Sequence, residues 1–305
     1  MLNDVAGKVA VVTGGSSGIG RGIALAFARA GMTVVATGRT GSHLDETASI
    51  FAERGLAVET MQVDVTDLPA MKAAADEVER RFGRIDVLVN NAGIGLTGPV
   101  MNATPSDWDW VIDVNIKGVG NGIQAFVPKI RAHGEGGAVV NTSSMAGLMP
   151  IVAGLYSMTK AAVIGLSEAL HIELLPEGIS VSAYCPGPTH SNIAAAVANR
   201  PEQYGQSGYT PPPQEFTEAA RHQPYMSAEE AGERVLAGIR RGDMFILTHP
   251  EFREGVVDRH ATIEAAFPDE PIDEPRRAAI PFLLSSPVYS DENRLPAPTA
   301  PAPVV

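Results

Sequence analysis

The chain has 305 residues and is 45% apolar and 19% charged, which is typical of a globular protein with a sizeable buried core. Its net charge of −12 argues against nucleic acid or an anionic membrane as a partner, because both select clustered lysine and arginine. No apolar run reaches the roughly 18 residues that a membrane span needs.

Cysteine and histidine usage exclude further classes of protein. Cys185 is the only cysteine, so no internal disulfide can form, and a reducing cytoplasm is the expected location. The start of the chain lacks the basic and apolar parts of a secretory signal. The seven histidines are scattered without the spacing of metal ligands, so we expect no metal site.

Short apolar runs alternate with helical patterns over most of the chain. The predicted strands are 8–13, 33–37, 57–62, 84–89, 136–144, 179–184 and 244–247. The predicted helices are one that ends near residue 30 and others over 42–54, 67–82, 105–131, 156–175, 227–241 and 251–266. Continuous apolar strands separated by helices are typical of a parallel sheet covered on both faces. The sequence therefore predicts an α/β fold, a doubly wound parallel sheet of Rossmann type, in a single domain of residues 1–250.

Two stretches depart from this alternation. Residues 191–226, here called the insertion, contain Pro211-Pro-Pro213 and no clear periodicity, and loops of this length in a compact domain are usually functional. We expect the insertion to be a substrate-binding lid. Residues 251–305 are predicted as a charged helix and a Pro-rich tail, either disordered or wrapped on a neighbour, in which the apolar stretch 280–284 favours some docking.

A glycine-rich turn, Thr13-Gly-Gly-Ser-Ser-Gly-Ile-Gly20, joins the first strand to the first helix. Glycines at such a junction let the backbone approach a pyrophosphate, whose charge the helix N-terminus favours. An acid at the end of the second strand would bind the ribose 2′-hydroxyl of NAD, but Gly38 removes that acid and Arg39 supplies a cation for the 2′-phosphate of NADP. We therefore favour NADP(H), with NAD(H) as the alternative.

Tyr156 and Lys160 lie four residues apart, so a helix would place them on one face, one turn from each other. A phenol has an ordinary pKa near ~10, and a nearby ammonium favours its ionised form. We expect Lys160 to lower the pKa of Tyr156 toward the range of general acid–base catalysis. The strand that ends at Ser143 and Ser144 would bring a hydroxyl to the same place.

In combination these residues resemble the classical branch of the short-chain dehydrogenase/reductase family, over about residues 5–250. The resemblance rests on an ordered set of motifs: Thr13-Gly14-x-x-x-Gly18-x-Gly20, Asn90-Asn91-Ala92-Gly93, Asn115, Ser144, Tyr156-x-x-x-Lys160 and Pro186-Gly187. It implies a homodimer or homotetramer, since family members usually pair through the helices at 105–131 and 156–175.

The resemblance also implies roles for the site residues. Tyr156 would exchange a proton with the substrate oxygen, and Ser144 would hydrogen-bond that oxygen. Lys160 would hold the nicotinamide ribose, and Asn115 would hold a water that links Lys160 to solvent. The implied cofactor contacts, besides Tyr156 and Lys160, are Gly14, Ser16, Ser17, Gly18, Ile19, Gly20, Arg39, Asp64, Val65, Asn91, Ala92, Gly93, Pro186, Gly187, Thr189 and Ser191.

One catalytic position has two candidates. The family usually places its serine thirteen residues before the tyrosine, where Ser143 stands, whereas Ser144 stands twelve before. The position of Gly147 and the end of the strand favour Ser144.

A narrower resemblance covers Trp108–Asn115, Arg200–Tyr209 and Pro250–Gly255, which are similar to stretches in dehydrogenases of lignin-derived aryl ethers. Those enzymes oxidise a benzylic secondary alcohol and look NAD-linked.

We expect an oxidoreductase that transfers hydride between NADP(H) and a small molecule, a bulky apolar or aromatic secondary alcohol or ketone. The expected substrate pocket is lined by Met145, Leu148, Met149, Ile151, Leu155 and the insertion. The alternatives are an NAD-dependent benzylic alcohol dehydrogenase, an NADP(H)-sensing protein without catalysis, and an epimerase or dehydratase that uses the cofactor transiently.

Overall fold

A computed structural model of the protein describes residues 2–151 and 153–289, and of Gln214 and Thr217 it describes the backbone only. The predicted tail beyond residue 289 lies outside the described residues. No helix within the described part of the chain is long and apolar enough to cross a membrane.

Seven strands form one sheet in the order β3-β2-β1-β4-β5-β6-β7, and every neighbouring pair is parallel. This confirms the predicted doubly wound fold. The order reverses between β1 and β4, and ligands bind at such a reversal, outside the carboxyl ends of the strands. The strands are β1 Val9–Val12, β2 Thr33–Gly38, β3 Glu59–Gln62, β4 Val87–Asn90, β5 Gly137–Thr142, β6 Ile179–Cys185 and β7 Phe245–Leu247.

Alternate residues of a strand point to opposite sides of the sheet, and here both sides are apolar. Helices therefore cover both faces. Val9 and Val11 belong to one buried cluster, whereas Ala10 and Val12 belong to the other. The helices are α1 Gly18–Arg29, α2 Gly41–Glu53, α3 Leu68–Phe82, α4 Pro105–Ile112, α5 Gly118–Ala132, α6 Met145–Leu148, α7 Gly154–Leu174, α8 Gln214–Arg221, α9 Ala228–Arg241, α10 Arg253–Ala265 and α11 Glu274–Ala279.

The predicted helix 105–131 is interrupted by a π-helical turn, Asp113–Lys117, between α4 and α5. This turn contains Asn115, and π-helical turns often occur at functional sites. Two glycines after it permit close contact: a Cβ on Gly118 would lie 2.8 Å from a methyl of Val65, and one on Gly122 would lie 1.9 Å from Oδ1 of Asn90.

The insertion contains α8, and the C-terminal extension contains α10 and α11. The expected docking of residues 280–284 is not made within this chain, since Phe282 and Leu283 are 74% and 68% exposed, and docking on a neighbour stays a prediction. The chain docks further on instead. Val288 is buried, and the Tyr289 hydroxyl donates a hydrogen bond to Glu168 on α7.

Candidate functional site

A cleft of about 440 Å³ opens at the carboxyl ends of β1, β2 and β4. It brings together most of the residues that the sequence assigns to cofactor and catalysis. These are Gly14, Ser16, Ser17, Gly18, Ile19, Gly20, Arg39, Asp64, Val65, Asn91, Ala92, Gly93, Tyr156, Lys160, Pro186 and Ser191.

The glycine-rich turn forms the floor of one end of the cleft. Gly14 and Gly18 have φ values of 63° and 48°, which favour glycine, and a Cβ on Gly20 would lie 2.1 Å from the carbonyl oxygen of Gly14. The side chain of Ser17 makes no cap bond to α1. The first amides of α1 therefore face the cleft at a helix N-terminus, where an anion is favoured.

The end of β4 is fastened to this turn by hydrogen bonds. The Thr13 hydroxyl accepts from the backbone N–H groups of Asn91 and Ala92, at 3.0 and 3.1 Å. The Asn91 side chain donates to the carbonyl oxygens of Thr13 and Gly14. These bonds hold the glycine-rich turn against the end of β4, and Asn91 also lines the cleft.

The end of β2 has no room for an acidic side chain in this conformation. A Cβ on Gly38 would lie 2.5 Å from Oγ of Ser16. Arg39 lines the cleft, and its guanidinium donates to the carbonyl oxygen of Asn199 in the insertion at 2.8 Å. His43, which the sequence did not single out, lies on the same wall.

Tyr156 and Lys160 lie at the other end of the cleft, on the first turns of α7. Lys160 is only 3% exposed, its ammonium donates to the carbonyl oxygen of Thr142 at 2.9 Å, and it lies 5.5 Å from the centroid of the Tyr156 ring. A Cβ on Gly93 would lie 3.3 Å from both Nζ of Lys160 and Oδ1 of Asn115, so these two groups are close together.

Burial decides the acid–base properties of this pair. It lowers the pKa of Lys160 from 10.5 to about 8, because the ammonium has lost its water. The pKa of Tyr156 is raised, mainly by burial, and the hydrogen bond with Ser144 opposes that rise. The predicted lowering of the Tyr156 pKa was therefore wrong for the protein alone, since desolvation of the phenol dominates.

The two serine candidates have different surroundings. Ser143 is buried, and its hydroxyl donates to the carbonyl oxygen of Lys160 at 2.6 Å, so it holds β5 against α7. Ser144 caps α6 by accepting from the N–H of Ala146, and its hydroxyl also contacts the Tyr156 phenol. Of the two, Ser144 is the one whose hydroxyl lies beside that of Tyr156.

Asn115 is completely buried and joins three parts of the site. Its Oδ1 accepts from the N–H of Ile94, and its Nδ2 donates to the carbonyl oxygen of Ile94 and to the Thr159 hydroxyl. The π-helical turn thereby holds the loop after β4 against α7. This fixes the position of the loop after β4 relative to Lys160.

The loop after β6 closes the end of the cleft that contains Tyr156 and Lys160. Pro186 lines the cleft, whereas Gly187 and Thr189 stand behind it and bond to each other through the Thr189 hydroxyl. His249 supports this loop, because its Nδ1 accepts from the N–H of Gly187 and its Nε2 lies 3.2 Å from the carbonyl oxygen of Pro188. No motif in the sequence marked His249.

The insertion runs along the cleft, where the sequence predicted a cofactor contact only for Ser191. Ser191 lies against the glycine-rich turn, where a Cβ on Gly18 would be 3.1 Å from its Cβ. Ile193 and Asn199 line the cleft as well.

Apart from the insertion, the residues expected to line the substrate pocket lie outside the cleft. Met145, Leu148 and Met149 belong to one apolar cluster with Phe252 and Val256, and none of them lines the cleft. Leu155, by contrast, is 1% exposed and belongs to the main core, so its assignment to the substrate pocket was wrong.

Comparisons with known proteins agree with this geometry. The family model described as short chain dehydrogenase matches residues 8–202. A C alpha-dehydrogenase of Sphingobium sp. is 35% identical over 289 residues, which cover 93% of this chain and 94% of that protein.

Two solved structures extend the comparison. A short chain dehydrogenase/reductase from Burkholderia phymatum in complex with NAD is 32% identical, with a TM-score of 0.80, over 88% of this chain and 99% of that one. The L-sorbose reductase of Gluconobacter frateurii, complexed with NADPH and L-sorbose, is 28% identical, with a TM-score of 0.67, over 81% and 97%.

Proposed function

Since this chain belongs to the short-chain dehydrogenase family, we propose that it uses NADP(H) to interconvert a bulky apolar or aromatic secondary alcohol with its ketone. Family membership makes it an NAD(P)-dependent dehydrogenase that acts on CH–OH groups of small molecules. The cofactor preference, the substrate class and the role of each residue belong to the proposal. The observation that carries it is the buried Lys160 beside Tyr156 and Ser144 at the end of a glycine-floored cleft.

The cleft fits a dinucleotide in shape and chemistry. The uncapped N-terminus of α1 suits a pyrophosphate, and Gly20 leaves no side chain in its way. The nicotinamide, when bound, supplies or accepts the hydride. The residues of this chain then have to bind that cofactor, hold the substrate oxygen and move one proton.

Tyr156 gives a proton to the ketone oxygen, or takes one from the alcohol, and Ser144 holds that oxygen by a hydrogen bond. A charged Lys160 favours the phenolate of Tyr156 and so eases proton loss in the oxidative direction. With its pKa lowered to about 8, Lys160 is still mostly charged near neutral pH, so that its charge is present when Tyr156 gives up its proton. Asn115 positions Lys160 and holds a water that connects it to solvent.

Replacement of Tyr156 by phenylalanine tests this role. The change removes only the hydroxyl, so we expect turnover to fall by at least about a hundredfold, the usual contribution of general acid–base catalysis. NADPH affinity, measured by fluorescence titration, should change little. Glu173→Gln serves as a control at an exposed position of the same helix. Unchanged turnover in Tyr156→Phe would contradict the proposed role.

The preference for NADP(H) is supported by Gly38 and Arg39. Gly38 excludes the acid that would select NAD, and the Arg39 guanidinium reaches the cleft wall. The relative named a C alpha-dehydrogenase and the relative in complex with NAD favour a second candidate, an NAD-dependent benzylic alcohol dehydrogenase. A spectrophotometric screen of aryl, alicyclic and steroid alcohols and ketones with both cofactors separates the two.

We further propose that the protein is cytoplasmic, that it forms a homodimer or homotetramer, and that part of the insertion acts as a substrate lid. The assembly is supported by two large apolar side chains that are exposed at the end of α7, those of Ile172 and Leu175. Mass measurement in solution tests the assembly, and a purely monomeric protein would contradict it.

A further inference from the structure

The insertion is anchored to α4 by a buried ion pair. Arg200 donates to Oδ1 of Asp107 on α4 at 2.6 Å, and their side chains are 6% and 0% exposed. Three further guanidinium N–H groups donate to Ser106 and to the carbonyl oxygens of Tyr204 and Gly205. Arg200 also lies over the Trp110 ring, 5.0 Å from its centroid.

Asp107 holds the other side of the same segment. Its carboxylate accepts from the Ser207 hydroxyl at 2.7 Å and from the N–H of Gly208 at 2.9 Å. A Cβ on Gly208 would lie 1.7 Å from the carbonyl oxygen of Asn102, so the backbone passes directly over that loop. Residues 200–208, here called the anchored turn, are therefore held at both ends.

The anchored turn projects toward the part of the cleft at β2 and β3. Tyr204 is buried, tilted against Trp110 at 6.0 Å between ring centroids, and its hydroxyl donates to Asp113. Gln203 precedes it, is exposed, and its carboxamide hydrogen-bonds the Tyr204 hydroxyl.

Pro201, Gln203 and Tyr204 form one wall of a second cavity of about 380 Å³. The opposite wall contains Arg39, Asp64, Trp110 and Val114, and all four also line the main cleft. The second cavity is therefore continuous with the end of the main cleft that lies furthest from Lys160. In a dinucleotide whose pyrophosphate lies on α1 and whose nicotinamide faces Lys160, the adenosine half must occupy this end.

We propose that the anchored turn completes an adenine subsite and that Gln203 binds the edge of the adenine ring. A carboxamide can donate one hydrogen bond and accept another, and glutamine pairs in this bidentate way with the N6 and N7 positions of adenine. One insertion would thus cover the cofactor from the glycine-rich turn to the adenine. The proposal rests on binding of an NAD(P) cofactor by this chain and is independent of its substrate.

Calorimetry with two halves of the cofactor tests the proposal without any turnover. Gln203→Ala should weaken binding of adenosine 2′,5′-bisphosphate by about three- to tenfold, as expected for one or two neutral hydrogen bonds. Binding of reduced nicotinamide mononucleotide should not change. Gln206→Ala is the matched control, because Gln206 is an exposed glutamine of the same turn that lines neither cavity.

A second variant tests the anchor itself. Arg200→Lys keeps the charge but loses the forked hydrogen bonds. It should therefore lower the affinity for the adenosine probe more than the affinity for the nicotinamide probe. Equal affinity of Gln203→Ala and the native protein for the adenosine probe would overturn the proposal. Equal loss for both probes would also overturn it. Adenosine 5′-diphosphate, which lacks the 2′-phosphate, serves as a third probe. Gln203→Ala should weaken its binding as well, because the adenine contact does not depend on whether the protein prefers NAD or NADP.

Discussion

Lys160 carries its charge at a position that is only 3% exposed to solvent. Burial lowers its pKa from 10.5 to about 8, which corresponds to roughly 3 kcal/mol of destabilisation when the lysine is charged. Only the carbonyl oxygen of Thr142 is seen to accept a hydrogen bond from this ammonium within the described residues. A group with such a cost is retained for chemistry, since functional sites commonly hold perturbed titratable groups.

The stability of the protein should therefore depend on pH through Lys160. Between pH 8 and pH 10.5 the unfolded chain binds this proton and the folded chain does not, so stability rises with pH in that window. Lys160→Met removes the buried charge at similar volume. We expect it to raise the free energy of unfolding at pH 7 by about 1–3 kcal/mol, after loss of the bond to Thr142, while turnover is lost.

Urea unfolding at pH 7 and pH 9 measures this effect, and the difference between variant and native protein should shrink at the higher pH. A difference that is the same at both pH values would contradict the assignment of a buried charge to Lys160.

At the scale of elements, the sequence predicted most strands and long helices to within a few residues, because Val9–Val12 and similar runs are uniformly apolar. The short helices α6, α8 and α11 were missed, since four to eight residues carry little periodicity. The π-helical turn at Asn115 was also missed, because over five residues its pattern of apolar positions cannot be distinguished from that of an α-helix. The path of the insertion could not be predicted either, since the Arg200–Asp107 pair joins residues 93 positions apart.

The glycines of α5 give a test of close packing after the π-helical turn. Gly122→Ala places a methyl 1.9 Å from the Asn90 side chain, and overpacking of this kind costs about 1–3 kcal/mol. Gly120→Ala is the matched control, because nothing lies within 4 Å of its added Cβ. That change should stabilise the helix by up to about 1 kcal/mol. Denaturant midpoints compare the two, and equal shifts would contradict the packing described here.

At the scale of the whole molecule, the sheet encloses the single thiol. Cys185 ends β6, is fully buried between β5 and β7, and burial raises its pKa to about 12. The thiolate is the reactive form, so a thiol reagent can modify the folded protein only when this region opens. Any ligand that binds only the closed protein should slow the modification in proportion to its occupancy.

The rate of thiol labelling can therefore report affinity without any known turnover. At a hundred times its dissociation constant, a cofactor should slow labelling about a hundredfold, which corresponds to about 2.7 kcal/mol. Labelling rates that do not change with NADPH would show that the region around Cys185 opens independently of the cleft. If NADPH slows the labelling instead, the rate at this one sulfhydryl can rank nucleotides and candidate alcohols by affinity before any reaction product has been identified.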